Sequence, residues 1–171
     1  TVIKMGSPRT TKPDLITEST LHDTDDPAIW VNKENTKESI VFGTDKDTDG
    51  AIYAFDLEGK VIEEKTLRGM KRPNNVDVEY NVKINDSVTT DILMFTERER
   101  EQIRLFSVPD MKPLDQGGFK VFQEKRENEW NLPMGISIFK SPKNDKTYAV
   151  VGRKNGPKTN YLHQFELVPA S

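Results

Sequence analysis

The sequence contains no cysteine and only two histidines among its 171 residues. The absence of cysteine excludes disulfide bonds, thiolate zinc sites and a cysteine nucleophile. Neither His22 nor His163 stands in a catalytic serine–histidine or His-Glu-x-x-His pattern, so we expect both to be structural. No apolar run approaches the ~20 residues of a membrane-spanning helix. Candidate chemistry must therefore come from carboxylates, amides and basic side chains.

The net charge is small. The chain has 25 basic and 28 acidic residues, a net charge of −3, and no long basic run. This balance argues against a nucleic-acid-binding protein that works by bulk charge. An anionic ligand would have to be held by a local cluster of basic side chains. Hydrophobic residues make up 34% of the chain and the mean hydropathy is −0.70, which predicts a thin, layered core.

Short β-like runs separated by turns recur in three rounds, and no segment has a convincing helical period. Phe42, Met94 and Val150 occupy the same place in successive rounds, at spacings of 52 and 56 residues. Four-stranded repeats of about 40 to 50 residues are typical of propeller blades. The predicted strands are 28–31, 40–44, 51–56 and 61–66 in round one, 76–82, 91–96, 102–108 and 119–123 in round two, and 135–139, 147–152 and 161–167 in round three.

The recurrence predicts an all-β fold, a β-propeller of four-stranded antiparallel blades with about three blades present. Propellers typically close with about 4 to 8 blades, so we expect a partial propeller. Further sequence, a second chain or dimerisation would complete it. We expect residues 1–20 to form an N-terminal arm and residues 21–171 the propeller domain. The alternative is a β-sandwich whose strand spacing is periodic by coincidence.

An acidic cluster stands immediately before the first predicted strand. Asp23, Asp25 and Asp26 lie within four residues and are followed by Pro27. Their mutual repulsion and loss of hydration favour a bound cation, and Ca²⁺ prefers oxygen ligands of this kind. The alternative is an ordinary turn, in which Asp caps its own backbone and Pro27 fixes the start of the strand.

Basic residues recur at the ends of the second predicted strands, near the acidic cluster. In an antiparallel meander, the start of strand one and the end of strand two lie at the same end of a blade. The ends of the second strands carry Lys46, Arg98 and Arg153. Acidic or amide residues stand nearby, at the starts of the first strands. The two sets together predict an edge of the propeller that binds a phosphate bridged to a metal ion. The alternative for each basic residue is a solvated surface ion pair with a neighbouring carboxylate.

Four motifs, in this order, resemble the N-terminal half of the β-propeller phytases. They are Asp-Asp-Pro-Ala-Ile-Trp at 25–30, Gly-Thr-Asp-Lys at 43–46, Asp-Leu-Glu-Gly-Lys at 56–60 and Asn-Asn-Val-Asp-Val at 74–78. The first and last of these are the more specific to that family. The resemblance covers roughly residues 21–167, whereas the family's six-bladed propeller needs about twice this length.

The resemblance implies calcium-dependent removal of phosphate from phytate, myo-inositol hexakisphosphate, by an exported protein that is secreted or periplasmic. A small phosphorylated molecule would be the partner, with no nucleic acid and no membrane. It implies metal ligation by the Asp25 and Asp26 side chains and by the backbone carbonyl of Val76. The resemblance assigns catalytic roles to Asp25, Lys46, Arg98 and Arg153, the last three by holding substrate phosphate.

Three residues depart from the family pattern. Asp47 stands where a second Lys is common, Met134 stands where an aromatic hydroxyl is expected, and Arg153 replaces a Lys. Met cannot donate a hydrogen bond to phosphate. Two other hypotheses therefore stay open. One is a non-catalytic partial propeller that binds a phosphorylated ligand or packs on a catalytic domain, and the other is a calcium-dependent propeller hydrolase acting on lactones or other esters.

Overall fold

The computed structural model describes residues 12–124 and 129–170. Within these ranges the chain forms eleven strands and three short 3-10 turns, and no α-helix. No helix long and apolar enough to cross a membrane occurs in this part of the chain. The strands are β1 (Thr24–Trp30), β2 (Ile40–Asp45), β3 (Gly50–Phe55), β4 (Leu67–Met70), β5 (Pro73–Lys83), β6 (Thr89–Glu97), β7 (Gln102–Val108), β8 (Phe119–Lys120), β9 (Pro133–Lys140), β10 (Thr147–Arg153) and β11 (Leu162–Leu167).

The strands form three antiparallel sheets in chain order, which confirms the predicted all-β partial propeller. Blade one contains β1 to β4, blade two contains β5 to β8, and blade three contains β9 to β11. The inner strands β1, β5 and β9 are neighbours in space. Of the predicted arm, residues 12–20 form no strand, and the backbone N–H of Glu18 donates to the Gly59 carbonyl at 2.8 Å. Residues 1–11 of the arm lie outside the described residues.

The outer strands differ from the prediction. The fourth strand of blade one was expected at 61–66 but lies at Leu67–Met70. A 3-10 turn over Glu63–Lys65 takes its place, because the N–H groups of Lys65 and Thr66 donate to the Ile62 and Glu63 carbonyls at 3.1 Å. These local bonds occupy backbone groups that a strand would pair across the sheet. The fourth strand of blade two is shorter than predicted, covering Phe119–Lys120.

The second strand of blade two, β6, is buried on both faces in its central part, which explains its continuous apolar run. Successive side chains of a strand point to opposite faces of the sheet. Leu93 and Phe95 pack with blade one, whereas Ile92 and Met94 pack with blade three. All four side chains are at most 1% exposed. The interfaces between blades therefore form most of the hydrophobic core, in separate layers as the low hydropathy predicted.

Side-chain hydrogen bonds also join neighbouring blades. The Trp30 indole N–H of β1 donates to the Asp91 carboxylate of β6 at 2.7 Å. The Asp77 carboxylate of β5 accepts the backbone N–H of Ile138 in β9 at 2.7 Å. Such bonds satisfy polar groups at the blade interfaces, where an unpaired group would cost free energy. They fix β1 on β6 of the next blade and β5 on β9.

A buried ion pair holds the outer part of blade two. The Asp115 carboxylate lies 2.6 Å from Arg104 Nε and accepts the backbone N–H groups of Leu105 at 2.9 Å and Gly117 at 3.0 Å. Burial alone would raise the pKa of Asp115. The hydrogen bonds from Arg104 and the two amides outweigh burial, so this pKa is lowered. The connection from β7 to β8 therefore depends on an ionised Asp115.

The Asp115→Asn substitution is expected to destabilise the protein by about 3–5 kcal/mol, because it removes the closest carboxylate from the buried Arg104 charge and leaves only Glu97, at 3.8 Å. The measurement is urea-induced unfolding, with Asp110→Asn as the control, since Asp110 lies exposed in the same connection. A group with a lowered pKa stabilises the fold above its unfolded pKa and loses this effect as pH falls through the folded pKa. The difference between the wild type and Asp115→Asn should therefore shrink in acid. Equal unfolding midpoints for the two variants at neutral pH would contradict this account.

Candidate functional site

One hydrogen bond recurs at the same end of all three blades. In each blade, the residue after the second strand donates its backbone N–H to the carbonyl of the residue before the first strand. The three pairs are Lys46 to Asp23 at 2.8 Å, Arg98 to Arg72 at 3.1 Å and Lys154 to Leu132 at 2.8 Å. These six residues are called the rim. They define equivalent positions in the three blades, since each pair closes the same strand–turn geometry.

This equivalence places Arg153 outside the rim. Arg153 is the last residue of β10 and corresponds to Asp45 at the end of β2 and Glu97 at the end of β6. All three side chains are at least nine-tenths buried. The third rim cation is therefore Lys154, and sequence comparison could have found it as the third residue of Thr44-Asp45-Lys46, Thr96-Glu97-Arg98 and Gly152-Arg153-Lys154.

The side chain of Arg153 is fully engaged within blade three. Its guanidinium binds the Glu124 carboxylate at 2.9 and 3.0 Å and donates to the backbone carbonyls of Asn160 and Trp130. It also lies 4.2 Å from the ring centre of Phe122. The structure thus does not bring Arg153 together with Lys46 and Arg98. Its predicted role as a phosphate ligand stays a prediction, and its contacts are those of an anchor.

Four predicted site residues lie at the junction of blades one and two. Lys46 Nζ lies 3.2 Å from the Asp25 carboxylate and 3.5 Å from that of Asp23. The Asp26 carboxylate accepts the backbone N–H of Val76 at 3.0 Å. Val76 therefore meets Asp26 through its N–H group, and the predicted calcium contact through its carbonyl stays a prediction. The four residues form a mixed-charge cluster at the junction of blades one and two.

The turn behind Lys46 is shaped by close backbone approach. A Cβ atom on Gly50 would lie 2.4 Å from the Asp45 carbonyl oxygen and 2.6 Å from that of Asp47, so this position needs glycine. The buried Asp45 carboxylate lies 2.9 Å from His22 Nδ1 and accepts the backbone N–H of Asp23 at 2.8 Å. The hydrogen bond with Asp45 raises the pKa of His22. His22 thus ties the acidic segment to β2.

Blade two contributes a guanidinium group with unused hydrogen-bonding capacity. Arg98 is 7% exposed, and its Nε is buried without a hydrogen-bond partner among the described residues. Burial and, next, the charge of Arg72 lower the pKa of Arg98, whereas Asp25, Glu129 and Glu99 act in the opposite direction. An unpaired buried donor costs free energy. An acceptor supplied by a ligand would remove this cost.

Blade three places Lys154 beside the same region. Lys154 Nζ lies 2.7 Å from the Glu129 carboxylate, which also accepts a hydrogen bond from Asn155 at 3.1 Å. The hydrogen bond from Lys154 is the main cause of the lowered pKa of Glu129, and the charge of Arg98 contributes. Glu129 therefore connects the rim cations of blades two and three. Sequence reasoning missed Glu129 because it lies in an irregular segment before β9.

Met134 also lies at this edge. Its backbone carbonyl accepts the Thr96 hydroxyl at 2.7 Å, and its side chain is 37% exposed. The bond from Thr96 to Met134 joins blades two and three. An equivalent bond joins blades one and two, since the Thr44 hydroxyl donates to the Asn74 carbonyl at 2.9 Å. The backbone at Met134 thus follows the repeat, while its thioether offers no hydrogen-bond donor to a ligand.

Oxygen atoms at the junction of blades one and two are of the kind that binds calcium. Asn74 is fully buried, and its Oδ1 lacks a hydrogen-bond partner in the described part of the chain. Its Nδ2 lies 3.4 Å from the Asp25 carboxylate. An orphaned amide oxygen beside a carboxylate suits a hard cation. No group of three or more histidine, aspartate or glutamate side chains within residues 12–124 and 129–170 is arranged to hold a metal. These residues alone would therefore supply only part of a ligand shell.

Comparison with known proteins identifies the family. The family described as Phytase matches residues 9–170. The 3-phytase of Bacillus subtilis (strain 168) is 27% identical over 149 residues, which covers 84% of this chain and 35% of that protein. The chain thus spans well under half the length of this curated relative. Because the family match extends over almost the entire sequence, this chain belongs to the phytase family.

Proposed function

We propose that this chain forms part of the active site of a calcium-dependent phosphomonoesterase that acts on phytate. The observation that carries the proposal is the buried Arg98 guanidinium, whose Nε has no partner among the described residues. Lys46 and Lys154 follow the equivalent strands of the flanking blades. Clustered Lys and Arg side chains of this kind bind phosphate oxygens. The family match supports phosphate ester hydrolysis as the reaction class.

The rim cations would act on the phosphate group. Arg98 donates hydrogen bonds to its oxygens and stabilises the charge that develops as the ester bond breaks. Lys46 and Lys154 neutralise further oxygens after exchanging their present carboxylate partners for the substrate. The contacts of Arg153 support a different role, in which it anchors the segment that carries Lys154.

Calcium would bind at the junction of blades one and two. The Asp25 and Asp26 carboxylates and Asn74 Oδ1 would hold it, together with the proposed Val76 carbonyl. Bound Ca²⁺ supplies a Lewis-acidic charge that offsets the negative charge of the phosphate. Because Ca²⁺ takes 6–8 oxygen ligands, water, substrate or other segments of the protein would complete the shell. Asp25 would then turn from Lys46 to the metal and release the lysine for substrate.

The exposed thioether of Met134 favours a second candidate function. A rim that lacks one hydrogen-bond donor can bind a phosphorylated ligand without stabilising the transition state enough for turnover. In that case the chain is a non-catalytic phosphate-binding or domain-packing propeller. The two functions differ in turnover, whereas both require Arg98 for binding.

The Arg98→Ala substitution is expected to lower kcat for phosphate release from phytate by about 10²–10³-fold in the full-length protein, the effect of removing one preorganised donor to developing charge. Arg68→Ala is the control, because Arg68 lies in β4 and pairs with Glu63 and the Tyr53 hydroxyl. Thermal unfolding checks that both variants remain folded. Activity within a few-fold of the wild type for Arg98→Ala would remove Arg98 from the site.

The Asn74→Ala substitution is expected to weaken Ca²⁺ binding by about tenfold, since it deletes the orphaned Oδ1 while the Asn74 carbonyl keeps its bond to Thr44. Isothermal titration of Ca²⁺ into the full-length protein measures this change without relying on turnover. Asn144→Ala is the control, because Asn144 lies exposed in the β9–β10 hairpin. Unchanged Ca²⁺ affinity in Asn74→Ala would show that the metal binds elsewhere.

A further inference from the structure

We propose that Arg72 and Arg98 form a two-guanidinium site for one phosphate group of the substrate, which makes Arg72 a phosphate-binding residue. The inference rests on the proposed function in one respect, since it takes the phosphate to belong to a phosphorylated substrate. Arg72 belongs neither to the acidic cluster nor to the basic residues that follow the second strands, so the inference adds a ligand-binding residue to the site.

The rim of blade two carries a charge reversal. Arg72 precedes β5 and occupies the position that Asp23 holds before β1. In blade one, the Asp23 carboxylate lies 3.5 Å from Lys46 Nζ and offsets its charge. In blade two, the equivalent residue has the same sign as Arg98. The geometry that pairs opposite charges in blade one therefore brings two like charges together in blade two.

The backbone holds Arg72 in place. Its φ of 57° is in the left-handed region, a conformation that costs roughly 1–2 kcal/mol for a residue with a Cβ. Its N–H donates to the Asp47 carbonyl at 2.8 Å and its carbonyl accepts the N–H of Arg98. The preceding residue, Lys71, donates its N–H to the buried Glu97 carboxylate at 2.7 Å. Bonds on both sides thus fix a strained residue beside Arg98.

The side chains retain donors for a ligand. No side-chain hydrogen bond or ion pair joins Arg72 to another described residue. The carboxylates that act electrostatically on Arg98 are engaged elsewhere: Asp25 with Lys46, Glu129 with Lys154 and Glu99 with the Thr48 hydroxyl. The pKa of Asp47 is lowered chiefly by the hydrogen bond from the Asp49 N–H, and the charges of His22 and Arg72 contribute. Because two adjacent guanidinium groups repel, a bound anion would stabilise the arrangement.

The arrangement suits a phosphomonoester better than a carboxylate or a lactone. A phosphomonoester carries close to two negative charges at neutral pH and exposes three oxygens. Each planar guanidinium can donate two parallel hydrogen bonds to such a group. Arg98 would bind from its buried position and Arg72 from the partly exposed side of the rim. The two guanidinium charges thereby match the charge of one phosphate dianion. A neutral ester would leave both guanidinium charges uncompensated.

Inorganic phosphate is the probe for this site. Its binding to the full-length protein is measured by isothermal titration at constant ionic strength for the wild type and for Arg72→Asn, Arg72→Lys and Arg68→Gln. Asn tolerates the left-handed backbone, so Arg72→Asn removes charge without backbone strain. Arg98→Gln is measured in the same way. We expect Arg72→Asn to weaken phosphate binding by about 10- to 100-fold, the range for a lost charged hydrogen bond. The phosphate affinity of Arg72→Lys should lie between those of the wild type and Arg72→Asn. The affinity of the Arg68→Gln control should stay within twofold of the wild type.

The outcomes separate this inference from the proposed function. If Arg72→Asn binds phosphate like the wild type while Arg98→Gln does not, Arg98 acts alone and the two-guanidinium site is overturned, although the proposed function stands. If neither substitution changes phosphate binding, both proposals are overturned. If both weaken binding but the wild type releases no phosphate from phytate, the two-guanidinium site stands and hydrolysis does not. A thermal unfolding midpoint for Arg72→Asn that is no lower than that of the wild type shows in each case that the variant is folded.

Discussion

The hydrogen bond that closes each blade, from the N–H after its second strand to the carbonyl before its first, determines which side chains reach the rim. It places Lys46, Arg98 and Lys154 in one series and Asp23, Arg72 and Leu132 in another. The residues immediately before the first series turn into the blades and become buried anchors. Candidate ligand-binding side chains and buried anchors thus occupy adjacent positions at one strand end, because successive side chains point to opposite faces.

The charge of the rim differs from blade to blade, because the residue before the first strand is acidic in blade one, basic in blade two and apolar in blade three. In blade one, carboxylates surround a lysine, and the orphaned Asn74 oxygen lies beside them, which suits a cation. In blade two, Arg72 and Arg98 stand together and suit an anion. A metal and a phosphate can therefore occupy neighbouring parts of one edge. The like charges, the unpaired Arg98 Nε donor and the unpaired Asn74 Oδ1 acceptor would destabilise this edge without ligands, so ligands would contribute to its stability.

Much of the fold could be predicted from sequence because it rests on local patterns. The repeated apolar runs predict the inner and middle strands, and the recurrence from Phe42 to Met94 to Val150 predicts the blades. The β4 strand was misplaced because the 3-10 turn at Glu63–Lys65 depends on local hydrogen bonds that periodicity does not report. Arg153 was matched to Lys46 by charge alone, although the order of residues at the three strand ends already indicated Lys154. The structure shows Arg153 as the last, buried residue of β10. Arg72 was missed because its significance comes from contact with Arg98.

The central claim is that this rim belongs to a calcium-dependent phytate phosphatase. The most direct measurement is phosphate release from phytate by the full-length protein with Ca²⁺ supplied, after chelation, and after Ca²⁺ is restored. The account predicts release with Ca²⁺, loss of release on chelation and recovery on restoration. Release that continues unchanged in the chelator would contradict the calcium-dependent mechanism, and no release from a folded protein that binds Ca²⁺ and phosphate would establish a non-catalytic binding function.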